Sequence, residues 1–86
     1  MIDALQPNDH RTVDATAASV KMAGRNCCYI RAKAAGDIVL RMGTGAPIVY
    51  TVVITEKLFG MFTEAVFPGT TVQFEEFYRS GGGTGG

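Results

Sequence analysis

The sequence has few residues with which to carry out chemistry or to bind polyanions. It contains one histidine and two cysteines among 86 residues, and its eight basic and eight acidic side chains give no net charge. Because no excess of positive charge is available to neutralise phosphates or an acidic lipid surface, we expect neither nucleic acid nor membrane as a partner. The longest apolar stretch, residues 48–54, is too short to span a bilayer as a helix. Residues 1–10 carry no cationic region followed by an apolar run, so we expect no secretory signal and place synthesis in a cytoplasm.

The two cysteines are adjacent in the chain, at Cys27 and Cys28. Neighbouring side chains on a strand point to opposite faces, so the two thiols diverge and do not bond to each other. A zinc site would need a C-x-x-C spacing and further ligands. We therefore predict one thiol in the core and one on the other face, with no redox or metal role.

No pattern of polar residues indicates a catalytic site. His10 lies in a polar segment, where we expect it to be exposed and not held in a pocket as a catalytic base. Glu75 and Glu76 are neighbours on a predicted strand and face opposite ways, so they do not form a carboxylate pair. Residues 43–45 are glycine-rich, but a proline and a strand follow them, where a phosphate loop would have a lysine and a helix. The sequence predicts a protein that is not an enzyme, with no catalytic, cofactor-binding or metal-binding residue and no cofactor.

What the sequence does contain is β structure. Alternating or β-branched segments that predict strands occupy residues 28–33, 38–42, 48–55 and 71–78, and the apolar stretch 58–62 bends at Gly60. Turn signals separate them, with hairpins predicted at 35–37 and at Pro68–Gly69 and a further turn at 43–47. Close spacing and the lack of a secure helix predict an all-β fold, a small antiparallel sandwich or barrel of five to seven short strands.

The chain divides into three parts by composition. We predict that residues 1–18 form an extended N-terminal arm with one short strand. Residues 19–79 are predicted to form the β domain, and residues 80–86 a flexible Gly-rich tail. Alanine content at 15–23 favours a helix, but the threonine and valine residues of this stretch favour the extended structure that we predict. The tail is a tether, a peptide that orders in a partner's groove or a remnant of cloning.

Large apolar side chains exceed what one thin core should hold. Residues 48–54 are apolar on both faces, which predicts a strand covered on each side, by a second sheet or by another subunit. Met22, Met42 and Met61 are expected as core fillers. We predict that some of the large side chains form a subunit interface, although each residue alone is equally well explained as part of the core. The predicted interface residues are Tyr50, Val52, Phe59, Phe62, Phe67, Phe74, Phe77 and Tyr78. We expect this cluster and residues 48–54 to carry the affinity for partners.

The layout of two segments, YIRAKAAGDIVLRM and PIVYTVVITEKLFGMFTEAVFPGTTVQFEEFY, resembles a known group of proteins. These are the small β proteins of tailed phages and gene transfer agents that form a head-spike base, a head decoration or a related virion adaptor. The likeness extends over residues 29–78: a strand, the Gly36–Asp37 turn, a glycine-rich turn, a long β-branched strand and a last strand after Thr70–Thr71. The resemblance implies a non-enzymatic virion protein, made in the host cytoplasm and present in several copies. It also implies that the protein binds itself and capsid or fibre proteins. A free-standing ligand-binding or regulatory β module is the alternative.

Overall fold

The chain changes sheet at almost every connection between its strands. The computed structural model describes residues 7–79. The strands are β1 (Asp9–Val13), β2 (Val20–Lys21), β3 (Cys27–Ala32), β4 (Gly36–Met42), β5 (Ile48–Val52), β6 (Lys57–Phe59), β7 (Phe62–Ala65) and β8 (Phe74–Tyr78). They form two antiparallel four-stranded sheets, the first in the order β1-β8-β3-β6 and the second in the order β2-β7-β4-β5. The predicted all-β antiparallel fold is therefore confirmed; of the two predicted forms, sandwich or barrel, the structure is a sandwich, with eight strands where five to seven were expected.

Two of the predicted hairpins are wrong. Strands β3 and β4 flank the turn at 35–37, but β3 belongs to the first sheet and β4 to the second. Strands β7 and β8, on either side of Pro68–Gly69, are likewise in different sheets. Only the turn at 43–47 joins two strands that pair, with Leu40 opposite Ile48. Both wrong hairpins are connections that cross from one sheet to the other, and Gly60, the predicted bend, lies in a third such crossing, between β6 and β7.

The predicted N-terminal arm is mostly part of the domain. The short strand expected within it is β1, which pairs along its whole length with β8 from Asp9–Tyr78 to Val13–Phe74. Val13 and Ala15 are buried in the core. The β domain thus begins at about residue 9 and not at residue 19, because the edge of the first sheet is built from this segment. Residues 15–23 form no helix, but the extended structure predicted for them is present only in part: residues 16–18 are a bend, β2 follows, and Ala23 has helical dihedral angles (φ −72°, ψ −9°). Residues 1–6 and the Gly-rich tail 80–86 lie outside the described residues.

The core fills the space between the two sheets with side chains from both. Its members are buried apolar residues from six of the strands and from the segment after β1: Val13, Ala15, Cys27, Ile30, Ala32, Ile38, Leu40, Val52, Phe62, Ala65 and Phe74. Outside the second sheet, the loop after β7 covers Val39. Thr70 holds this loop, since its hydroxyl accepts from the Val39 amide (2.9 Å) and donates to the Val66 carbonyl (2.9 Å).

A β-bulge in β3 decides which of the two cysteines is buried. Cys27 pairs with Tyr78 and Tyr29 with Phe77, so two steps on β3 match one step on β8. Cys27 therefore turns inward, and Cys28 is only half-buried. The prediction of one core thiol is confirmed, although simple alternation had placed Cys28 on the same face as Ile30. Burial, and next the nearby Glu76 carboxylate, raise the pKa of the Cys27 thiol to about 12.

A buried carboxylate, Glu76, ties the N-terminal strand to the core. Its side chain is completely buried, and its two oxygens accept from Arg11 Nε (2.8 Å) and from the Ala23 amide (2.7 Å). Arg11 Nη2 also donates to the Lys21 carbonyl at 2.6 Å. This ion pair places β1 and β2, the first edge strands of the two sheets, on the same side of the sandwich.

Candidate interaction surface

The opposite side of the sandwich carries most of the large apolar side chains that are exposed within residues 7–79. The edge strands there are β5 and β6, and the chain passes directly from one to the other through residues 53–56. Eight large apolar side chains are exposed in the described part of the chain; six of them lie on β5, on β6 or within two residues of these strands, and a seventh, Met42, ends the neighbouring strand β4. We call this set the apolar edge: Met42, Ile48, Val49, Val53, Ile54, Phe59 and Met61.

Strand β5 explains why so much apolar surface is left uncovered. Its inward side chains are Tyr50, half-buried against the core, and Val52, which is buried. Val49 faces outward and is 62% exposed. The second sheet thus covers only one face of the β-branched strand within this chain. No charged residue occurs from position 42 to position 55, and the Thr51 hydroxyl, which donates to Asp37 Oδ1 at 2.9 Å, is the polar group that β5 itself places on this face.

The turn after β5 holds two further apolar side chains in solvent. The Val53 amide donates to Glu56 Oε1 at 2.9 Å, and the Glu56 amide donates to the Val53 carbonyl at 3.1 Å. Thr55 has a φ of 67°, a left-handed conformation that non-glycine residues seldom adopt. The Thr55 amide donates to the Ala32 carbonyl at 2.9 Å, which joins the turn to the end of β3. These bonds fix the turn, and Val53 and Ile54 remain more than half exposed on it.

A row of aromatic rings crosses the outer face of the first sheet. We call it the aromatic row; it takes one ring from each strand, in the order His10, Phe77, Tyr29 and Phe59. The ring centroids are 5.4 Å apart for His10–Phe77, 4.7 Å for Phe77–Tyr29 and 5.3 Å for Tyr29–Phe59. The first two pairs are stacked within 23° of parallel, so the rings cover one another's faces and present their edges to solvent.

Cationic side chains flank the aromatic row. Arg31 lies over the Phe77 ring at 5.4 Å and Lys57 over the Tyr29 ring at 4.9 Å. Arg31 is also paired with Glu75 at 2.6 Å, and this hydrogen bond lowers the pKa of Glu75. The row ends at Phe59, which is 73% exposed and belongs also to the apolar edge. The two features therefore form one continuous surface around β6.

Three residues of the predicted interface are part of the core. Val52, Phe62 and Phe74 are buried to 2% exposure or less, so no partner reaches them in the folded chain. The prediction that these three residues belong to the interface is wrong. Their side chains point inward from their strands and fill the space between the two sheets. Tyr50 is half-buried and meets Phe62 edge-on, with centroids 6.1 Å apart.

The remaining predicted interface residues are accessible to different degrees. Phe59 and Phe67 are exposed, and Phe77 and Tyr78 are half-buried on β8. Phe67 lies in the loop after β7, away from the apolar edge, and its backbone amide donates to Ser19 Oγ at 2.8 Å.

Sequence reasoning missed several residues of this surface. Met42 and Met61 were expected in the core but are exposed, and only Met22 packs against the core as predicted. Met42, Met61 and Arg25 line a groove of about 460 Å³ at the end of the sandwich. The outward position of Tyr29 could have been predicted from its alternation with Ile30. The position of His10 beside Phe77 could not, because it depends on the pairing of β1 with β8.

Apolar and aromatic side chains make up most of the surface. Within residues 7–79, no three side chains among His, Cys, Asp and Glu are grouped so as to hold a metal ion. His10 stacks on a ring, and a groove of about 340 Å³ beside Glu75 is lined chiefly by Arg31, Lys33, Ile54 and Thr55. The described segment includes no helix with the length and hydropathy needed to cross a bilayer. Comparison of the chain with protein-family models, curated protein sequences and solved structures gives no match.

Proposed function

We propose that the protein is a non-enzymatic structural component of a phage-like virion, a head decoration, spike base or adaptor that binds copies of itself and capsid or fibre proteins. The observation that carries the proposal is the apolar edge, which holds seven of the eight large apolar side chains exposed within residues 7–79 and is continuous with the aromatic row. Exposed apolar surface of this kind marks protein–protein contact sites. The layout from residue 29 to residue 78 supports the virion context by resemblance.

The binding free energy that such a contact can supply favours a protein that is present in many copies of one assembly. Complete burial of one large apolar side chain contributes about 1.5–3 kcal/mol, so covering seven that are already partly buried contributes about 1 kcal/mol each. Association itself costs an estimated 4–15 kcal/mol in lost freedom of motion. One copy binding through this surface is therefore marginal on its own. Repetition in an assembled particle makes each later contact effectively intramolecular and so provides the missing affinity.

The first experiment follows the native protein through a density gradient. A lysate of the source is sedimented, and the fractions are analysed for this chain by mass spectrometry. We expect the chain to migrate with particles of megadalton mass. Recovery only at the top of the gradient, as a small free species, overturns the virion proposal and favours a free-standing ligand-binding module.

A pair of variants tests whether the apolar edge makes the attachment. Phe59→Ser removes the most exposed large apolar side chain of residues 7–79, at 73% exposure, and we expect the variant chain to be lost from the particle fractions. Phe67→Ser makes the same chemical change at an exposed position outside the apolar edge, and we expect that variant to stay with the particles. Far-UV circular dichroism verifies that both chains are folded. Equal retention of the two variants would show that the apolar edge is not the attachment surface.

A further inference from the structure

Of the four edge strands formed by residues 7–79, only β5 is unprotected against pairing with another chain. Edge strands expose backbone N–H and C=O groups, and proteins guard them with charged side chains or by keeping them short. Strand β1 begins with Asp9, His10 and Arg11, β2 has two residues, and β6 has three residues including Lys57. Strand β5 has five residues and no charge. Every second residue of such an edge directs its backbone groups away from the sheet.

We infer that β5 pairs with β5 of a second copy of this chain, antiparallel about a two-fold axis, so that the two second sheets join into one sheet of eight strands. The inference rests on the proposed function, because it names the partner and the geometry for self-association at the apolar edge. The contact is isologous: the same strand contributes from both copies, as closed dimers require.

The sequence of β5 is compatible with itself in this arrangement. The only antiparallel register that pairs all five residues places Tyr50 opposite Tyr50 of the second copy. Ile48 then faces Val52, and Val49 faces Thr51. No like charges meet at any position, since the strand carries none. The whole chain has zero net charge, so long-range repulsion between copies is also absent.

The same arrangement covers side chains that the single chain leaves in solvent. Ile48 and Val49 lie on the pairing strand and are 46% and 62% exposed. Pro47 immediately precedes Ile48 and has no N–H, so it ends the ladder at that point. At the other end, Glu56 already occupies the Val53 amide, which stops the ladder after Val52. The pairing segment is therefore limited to β5 on both sides.

Sedimentation equilibrium of the full chain tests the inference. We expect a monomer–dimer equilibrium for the wild type. Val49→Lys places a charge on an outward position of β5, and we expect it to raise the dimer dissociation constant by roughly a hundredfold, because like charges then face the same interface from both copies. Thr12→Lys adds the same charge to the exposed face of another edge strand, β1, and should leave the dimer intact. Far-UV circular dichroism checks that each variant is folded.

Disulfide trapping tests the register. In a Cys28→Ser background, chains carrying Val49→Cys are mixed with chains carrying Thr51→Cys and oxidised. Because Val49 faces Thr51 across the two-fold axis, we expect the mixed dimer to form faster than either homodimer. A monomeric wild type, or a dimer that Val49→Lys does not weaken and that shows no preference for the mixed cross-link, overturns the inference. A monomer that still migrates with particles overturns this inference alone, whereas a dimer that never does so overturns the proposed function alone.

Discussion

Replacing Arg11 by methionine should cost far more stability than the same replacement at Arg31. Both arginines pair with a glutamate of β8, at 2.8 Å for Arg11–Glu76 and 2.6 Å for Arg31–Glu75, and both side chains are 43% exposed. They differ in the partner: the Glu76 side chain is fully buried, and that of Glu75 is 20% exposed. Removing the cation from a buried pair leaves a carboxylate without its counter-charge in the core.

The expected magnitudes follow from that difference. Breaking a buried ion pair from one side costs about 3–5 kcal/mol, and solvent access around Arg11 reduces our expectation to about 2–3 kcal/mol. Breaking the more exposed pair costs less than about 1 kcal/mol. A domain of this size has a total unfolding free energy on the order of 4–13 kcal/mol, so the first loss is a large share of it. Methionine keeps a long apolar stem at both sites, which limits the comparison to the charge and its hydrogen bonds.

Urea unfolding at neutral pH, followed by far-UV circular dichroism, measures both variants. The change should appear in the midpoint with an unchanged slope. The double variant Arg11→Met/Glu76→Leu removes both charges, and we expect it to be no less stable than Arg11→Met alone. Equal losses for Arg11→Met and Arg31→Met, or a further loss of 2 kcal/mol or more in the double variant (about the cost of one more unsatisfied buried group), would refute the reasoning.

Two further predictions concern the cysteines and a tight loop. With its pKa near 12, Cys27 has about one thiolate in ten thousand molecules at pH 8, so Ellman's reagent should modify Cys28 in the folded chain and Cys27 only after unfolding. Reaction of both thiols at equal rates in the folded chain would contradict this burial of Cys27. The stability that the raised pKa contributes is fully present below the pKa of the unfolded thiol and is lost as the pH rises from about 9 towards 12. The thermal midpoint should therefore fall within that pH window. Gly69 has a φ of 125°, and a Cβ there would meet Val39 Cγ2 at 2.7 Å, so Gly69→Ala should destabilise by about 2–4 kcal/mol. Gly43→Ala, with a φ of 59° and no neighbour within 4 Å, should cost only about 1–2 kcal/mol; equal losses in urea unfolding would exclude the steric cause.

The sequence allowed the fold class to be predicted but not the assignment of strands to sheets. Alternation at 28–33 and 38–42 correctly indicates strands, because it depends only on which side of a strand faces the core. It cannot distinguish a hairpin from a connection that crosses between sheets, since both need a turn and both reverse the chain direction. The turn at 43–47 and the one at Pro68–Gly69 therefore look alike, although one joins paired strands and the other does not.

The candidate surface was predictable in part. The uncharged segment through β5 was identified from sequence as a carrier of affinity, and the structure leaves it exposed on one face. Phe62 and Phe74 were assigned to the interface because hydrophobicity does not distinguish a core ring from a contact ring. Glu76 lies two residues after Phe74 and so shares its inward face, a signal that was present in the alternation but was not used.

The central position of β8 in the first sheet has a consequence for the order of events during synthesis. Strand β8 separates β1 from β3 and pairs with both, so until residues 74–78 have left the ribosome β1 has no strand to pair with in this sheet and β3 has only β6. Roughly 45 residues follow β3 before β8 is complete, which at 5–20 residues per second is a delay of roughly 2–9 s. During that interval the uncharged stretch at 42–55 is already made and has no completed sandwich to pack on. Nascent chains on neighbouring ribosomes of one message would expose this stretch at the same time, so expression yield should depend on translation rate and on the supply of chaperones.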